Sequence, residues 1–78
     1  MSSAVLVRAL AQGNVTVKNP DSTEVLVYYP DLKKGGGTKS RLIGPRETVN
    51  LTGETSVESL RRSPNLASLI NSGMLRVE

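Results

Sequence analysis

Apolar positions along this chain follow two periods, and the change falls near residue 55. Upstream, short apolar runs are separated by turn signals about every 8–12 residues, the spacing of small all-β folds. The first run, Ala4-Val-Leu-Val-Arg-Ala-Leu10, carries one charge and suits a buried strand or a short helix. Its valines and the Gln12-Gly13-Asn14 turn signal behind it favour a strand. Val15-Thr-Val-Lys18 alternates strictly, with Val15 and Val17 on one face. Asn19-Pro20-Asp21-Ser22 is a turn: Pro20 presets its first dihedral, and the Asn19 and Asp21 side chains cap backbone N–H groups. Thr23 to Tyr29 is the clearest strand, with Val25, Val27 and Tyr29 on one face and Leu26 and Tyr28 on the other. Because both faces are apolar near the middle, it is expected to be central in its sheet or covered on both sides. It is expected to form a hairpin with Val15–Lys18 around the Asn-Pro-Asp-Ser turn, and Pro30 ends it.

A loop from Asp31 to Ser40 follows, then a short apolar piece, Arg41-Leu-Ile43, and a break at Gly44-Pro45. Arg46 to Leu51 alternates again, placing Thr48 and Asn50 opposite Val49 and Leu51. Beyond residue 55 the spacing becomes helical. Thr55-Ser-Val-Glu58 has the spacing of a capping box, with Val57 and Leu60 on one face behind it. Ser63-Pro64 starts a second helix, Ser63 as N-cap and Pro64 at the first helical position. Leu66, Leu69 and Ile70 form its apolar stripe, Gly73 closes it, and Met74-Leu-Arg-Val77 reads as a final strand. The fold class expected is therefore mainly β within α+β. It consists of a small antiparallel sheet, sandwich or barrel of five to six short strands, with two short C-terminal helices. A single domain is expected over 1–78. Within it lie an N-terminal arm or strand over 1–12, a β core over 13–52 containing a flexible loop over 31–40, a helical segment over 55–72, and a final strand over 74–77.

Composition sharpens this picture in two places. The chain has 78 residues, no cysteine, no phenylalanine, no tryptophan and two tyrosines, so its core rests on aliphatic side chains and no disulfide supports it. Domains this small often gain stability by associating with partners. The apolar strand expected at the N-terminus, with Val5, Leu6 and Val7 at its centre, is either tucked into the domain or offered to a neighbour's sheet edge.

The second place is charge. Lys33, Lys34, Lys39, Arg41 and Arg46 fall in one window without an acidic residue, while the whole chain carries only +3. The rest of the chain is therefore net acidic, and the basic character belongs to one region. These five cations are the candidate contacts for an acidic partner surface or for phosphates. The run Lys33-Lys-Gly-Gly-Gly-Thr-Lys-Ser40 has the residues of a phosphate-binding loop, but in the wrong order. Aligning Lys39-Ser40 with the end of G-x-x-x-x-G-K-[ST] puts Thr38 and Lys33 at the two glycine positions. Gly44-Pro45 also blocks the long helix such a loop must open. What remains is a cationic linker, expected to be flexible when free and ordered only against a neighbour.

Catalytic chemistry has little to work with. Histidine is absent, the carboxylates are scattered, and no serine stands three residues before a lysine. No catalytic, metal-binding or cofactor-binding residues are expected, and the chain reads as a non-enzyme. No apolar segment approaches the roughly 18–20 residues that span a bilayer, and no secretory leader is recognised, so a soluble chain with no membrane partner is expected. Only Tyr28 and Tyr29 could stack on bases, and in a strand they face opposite ways.

One layout gives the reading a direction: Val15-x-Val17-x-Asn19, then Ile43-x-Pro45-x-Glu47-x-Val49-x-Leu51, then Ser56 to Leu75 with Leu60, Ser63-Pro64, Leu66, Leu69-Ile70 and Gly73. It resembles the small virion structural proteins of tailed bacteriophages. Such proteins decorate or cement capsids or join modules of head and tail. The resemblance implies a non-enzymatic, oligomeric role in the virion, assembled in the host cytoplasm. It also implies protein partners such as a major capsid subunit or other virion subunits. The alternative is a small β-domain that binds nucleic acid through the Lys33–Arg46 region.

Overall fold

The structure, a computed structural model, describes residues 4–33 and 35–78. Among these residues it is an α+β fold of five strands in two antiparallel sheets with three short α-helices, and the strands do not close into a barrel. The order is α1 (Ala4–Gln12), β1 (Thr16–Lys18), β2 (Val25–Pro30), β3 (Thr38–Ile43), β4 (Thr48–Asn50), a 3₁₀ turn (Leu51–Gly53), α2 (Val57–Arg61), α3 (Pro64–Asn71) and β5 (Arg76–Val77).

The N-terminal run is a helix, which corrects the strand expected there. Leu6 and Ala9 are buried and Leu10 packs against the core, the i, i+3, i+4 stripe of an amphipathic helix. Val5 and Val7, placed at the centre of an exchanged strand, stand exposed on its outer side. The turn signal behind the run is a helix cap. Gly13 takes φ 73 and donates to the Leu10 carbonyl at 3.1 Å, while Asn14 donates to that of Ala9, also at 3.1 Å. Those two bonds are the Schellman pattern that closes helices.

β1 does not pair with β2, contrary to the hairpin expected. It is the middle strand of a three-stranded sheet, order β4-β1-β5, with Val17 opposite both Val49 and Val77. β2 pairs instead with β3 in a separate ribbon, Val25 opposite Ile43 and Pro30 opposite Thr38. Asn19 is the reason the chain turns away. Its side chain is fully buried, and Nδ2 donates to the carbonyls of Thr23 (2.7 Å), Ile43 (3.2 Å) and Gly44 (3.1 Å), while Oδ1 accepts from the Asp21 N–H. A buried amide so bonded ties the 20–23 turn to the end of β3 and not to a tight hairpin.

At the C-terminal side, the helix predicted behind Ser63-Pro64 is present: Ser63 accepts from the Leu66 N–H at 3.1 Å, and Pro64 is the first helical residue. Gly73 has φ 84 at its end. For α2 the cap is Ser56, which accepts from Ser59, and not Thr55. Glu58 turns away from the helix start toward Arg61 and Arg62, at 3.6 and 3.9 Å. One aliphatic core joins all the elements, with Val15, Val17, Val27, Ile43, Leu51 and Leu66 fully enclosed. Among the described residues no helix is long and apolar enough to cross a membrane.

Candidate interaction surface

The β2–β3 ribbon has two unlike faces. Val25, Val27 and Tyr29 point into the core, opposite Ile43, Arg41 and Lys39. The other face is open: Leu26, Leu42 and Tyr28 are 36%, 46% and 47% exposed. Within the described residues β2 is therefore neither central in a sheet nor covered on both sides, contrary to expectation. A two-stranded ribbon laid on a core buries one face only, and no described residue crosses over the second. Leu26 faces Leu42 across the strands, and Tyr28 faces Ser40.

Its two edges are unlike as well. At the β2 edge, the Tyr28 N–H donates to Asn65 Oδ1 at 2.8 Å and the Tyr28 carbonyl accepts from the Ser63 hydroxyl. Two side chains at the start of α3 thus stand in for a neighbouring strand, and Ser63 serves the helix and the sheet together. Because those bonds point away from β3, Tyr28 and Ser40 form a non-hydrogen-bonded pair of the ladder. The same alternation turns the backbone N–H and C=O groups of Thr38, Ser40 and Leu42 outward from the β3 edge. The Leu42 carbonyl is met there by the Arg41 guanidinium. Among the described residues, no strand lies beside β3 on that side. Thr38 to Ser40, expected in the flexible loop, belong to this strand because they pair with Pro30, Tyr29 and Tyr28.

The four candidate cations among the described residues, Lys33, Lys39, Arg41 and Arg46, do not converge on one patch. Arg41 is an internal tie. It sits on the core-facing side of β3, and its Nε donates to both Glu54 oxygens at 2.9 and 3.1 Å, with Glu47 at 3.5 Å. The hydrogen bond to Glu54 raises its pKa above the ordinary arginine value, with burial opposing and the charges of Glu54 and Glu47 adding. Lys39 is 3.9 Å from Asp31 with its side chain 51% exposed. Lys33 is exposed in the loop, where its N–H donates to Asp31 Oδ1. Lys34 lies outside the described residues. Arg46 stands exposed on the turn at the opposite end of β3, roughly 20 Å away for a strand of this length. Of the proposed N-terminal contacts, Leu6 is in the core and Val5 and Val7 lie on the outside of α1.

Two shallow clefts flank the ribbon. One, of about 330 Å³, lies between Tyr28 and Pro30 on β2 and Arg62, Pro64 and Asn65 at the start of α3. The second, of about 200 Å³, lies under the glycine loop, among Lys33, Lys39, Asp31, Glu54 and the hydroxyls of Ser56 and Ser59. The open outer face escaped sequence reading because an apolar–apolar strand normally means double cover. The polar sequence of its partner, Thr38-Lys-Ser-Arg41, was the available sign that no second layer follows. The edge cap by Ser63 and Asn65 carried no sequence signal beyond the N-cap. Set against known proteins, the chain matches no family model, no curated protein and no solved structure.

Proposed function

We propose that this chain is a non-enzymatic interaction module, a structural component of a tailed-bacteriophage particle that binds neighbouring virion subunits in capsid decoration or head–tail assembly. One observation carries the interaction reading. The β2–β3 ribbon exposes Leu26, Tyr28 and Leu42 beside a strand edge that no other strand among the described residues pairs with. Contiguous apolar side chains next to open backbone groups suit association, since both gain by being covered. The phage assignment rests on the layout of Val15–Asn19, Ile43–Leu51 and Ser56–Leu75. Dispersal of the cations along β3 favours protein partners over phosphates, because Arg41 is already neutralised and Arg46 stands apart.

Light scattering of the purified chain, alone and mixed with the products of the genes adjoining its own, tests this reading. The expected result is a stable complex with one virion subunit, weakened about tenfold or more by Leu42→Lys on the outer face. A strict monomer that joins none of them overturns it. No binding to short DNA duplexes at low salt is expected. Binding whose log K falls steeply with log salt would mark a phosphate binder instead.

A further inference from the structure

We propose that the open edge of β3 takes up an extended acidic segment of a partner protein as a third strand of the ribbon. This rests on the interaction reading above and specifies the site and the occupant. Among the described residues the β3 edge is the open one, because Ser63 and Asn65 already satisfy the Tyr28 backbone at the β2 edge. At the β3 edge the outward N–H and C=O groups of Thr38 and Ser40 are offered by exposed residues. An added strand satisfies such groups directly, while its alternate side chains are read by the two faces.

Charge selects the occupant. On the inner face of β3 the sequence alternates Lys39, Arg41, Ile43. Arg41 has its two carboxylates from Glu54 and Glu47, whereas Lys39 is reached only at 3.9 Å by Asp31. A carboxylate on the incoming strand opposite Lys39 makes a favourable cross-strand pair, with Lys33 just beyond it in the loop. On the outer face Leu42 offers contact to an apolar residue in the alternate position. The segment that fits therefore alternates acidic and apolar side chains.

A second copy of the chain fits poorly. Symmetric antiparallel pairing of β3 with itself, centred on Lys39, Ser40 or Arg41, sets Lys39 against Lys39, Lys39 against Arg41, or Arg41 against Arg41. Like charges directly opposite destabilise a strand pair, and edge lysines are a common guard against self-association.

The probe is a short labelled peptide alternating valine and glutamate, with its valine–lysine counterpart as control. Fluorescence anisotropy and amide exchange by NMR are the readouts. The expected result is weak, saturable binding of the glutamate peptide that slows exchange at Thr38, Ser40 and Leu42. Ser40→Pro removes one outward N–H and no β2–β3 bond, so it is expected to weaken binding about fivefold or more. Lys39→Glu is expected to reverse the preference toward the lysine peptide, an outcome independent of how Ser40→Pro folds. No binding of the glutamate peptide, equal binding of both peptides, or protection confined to other residues overturns the proposal. Self-association that Ser40→Pro abolishes would put a second copy on the edge and also overturn it. Virion-subunit binding undiminished in both variants defeats this edge while sparing the interaction reading. Peptide binding by a chain that joins no virion subunit supports the edge and defeats the phage reading.

Discussion

The two ends of β3 are built in opposite ways. At the Ile43 end the turn Gly44–Glu47 is held by a distant segment. Asn19 Nδ2 binds the Ile43 and Gly44 carbonyls, the Asn19 N–H donates to the Glu47 carbonyl at 2.9 Å, and the Arg46 N–H donates to that of Asp21 at 3.3 Å. Glu47 adds a carboxylate bond to the Gly44 N–H at 2.7 Å. At the Thr38 end the described residues of the loop bind mainly one another: Asp31 N–H to the Gly37 carbonyl and Gly36 N–H to that of Lys33, both at 2.9 Å. Gly35, Gly36 and Gly37 there all have positive φ, at 99, 51 and 106. One end is fixed by the rest of the protein and the other by local closure. The loop end can therefore adjust to a neighbour without disturbing the core, whereas the turn end cannot.

Asn19→Ala gives the largest expected effect. It deletes the amide that joins the two segments and leaves the Ile43 carbonyl, which is buried, and the Thr23 and Gly44 carbonyls, which are partly buried, without that donor. A loss of about 2–4 kcal/mol in denaturant unfolding is expected. A loss below about 1 kcal/mol would mean that the turn end is not clamped in this way. Gly37→Ala tests the other end. At φ 106 an added Cβ meets no atom within 4 Å, so the cost is purely one of backbone conformation. About 1–2 kcal/mol is expected, with chemical-shift changes confined to the loop and the adjoining ends of β2 and β3. Shifts that spread to Asn19 or Glu47 would join the two ends energetically and dissolve the contrast.

Arg41→Gln probes the link that runs from the middle of β3 to both Glu47 and Glu54. Its partners are partly exposed, so the expected loss is small, about 0.5–1 kcal/mol, and smaller still at high salt. The same substitution is expected to leave subunit binding unchanged, since Glu54 and Glu47 already engage the Arg41 charge. A binding defect with unaltered stability would return Arg41 to the contact surface.

How much of this was legible beforehand depended on whether the signal was local. Val25, Val27 and Tyr29 as an inward face, Ser63-Pro64 as a helix start and Gly73 at that helix's end follow from spacing and backbone preference, and each is in place. What failed involved partners remote in sequence. Val15–Lys18 alternates as a strand should, but alternation does not name its neighbours, which turned out to be β4 and β5. The Ala4–Leu10 run was ambiguous because valine favours strands while Leu6, Ala9 and Leu10 fit a helix stripe, and tertiary burial decided between them. Gly13 misled for a related reason: a left-handed glycine closes a helix as readily as it opens a turn. Arg41 looked like a surface cation because nothing in its own neighbourhood revealed that Glu54 and Glu47 converge on it.

Arg46 carries the smallest and most informative prediction. It is the one non-glycine residue with positive φ among the described residues, at 62, in the third position of the Gly44-Pro45-Arg46-Glu47 turn. After a proline, that position usually holds glycine or asparagine, which enter this region at little cost. Arg46→Gly removes roughly 1–2 kcal/mol of local strain but adds backbone freedom to the unfolded chain, which offsets about 0.5–1 kcal/mol of the gain. A net stabilisation of about 0.5 kcal/mol is expected, opposite in sign to Gly37→Ala at the other end of the strand. Such a result would mean that the clamped turn holds arginine despite a more comfortable residue being available. The side chain, exposed and without an ion-pair partner among the described residues, would then be what the strain maintains. If subunit binding falls in the same variant that gains stability, the turn end presents a fixed cation while the loop end supplies adaptable ones. A variant that is destabilised instead would show that the turn favours arginine for its own packing, and the contrast between the ends would then be one of stability alone.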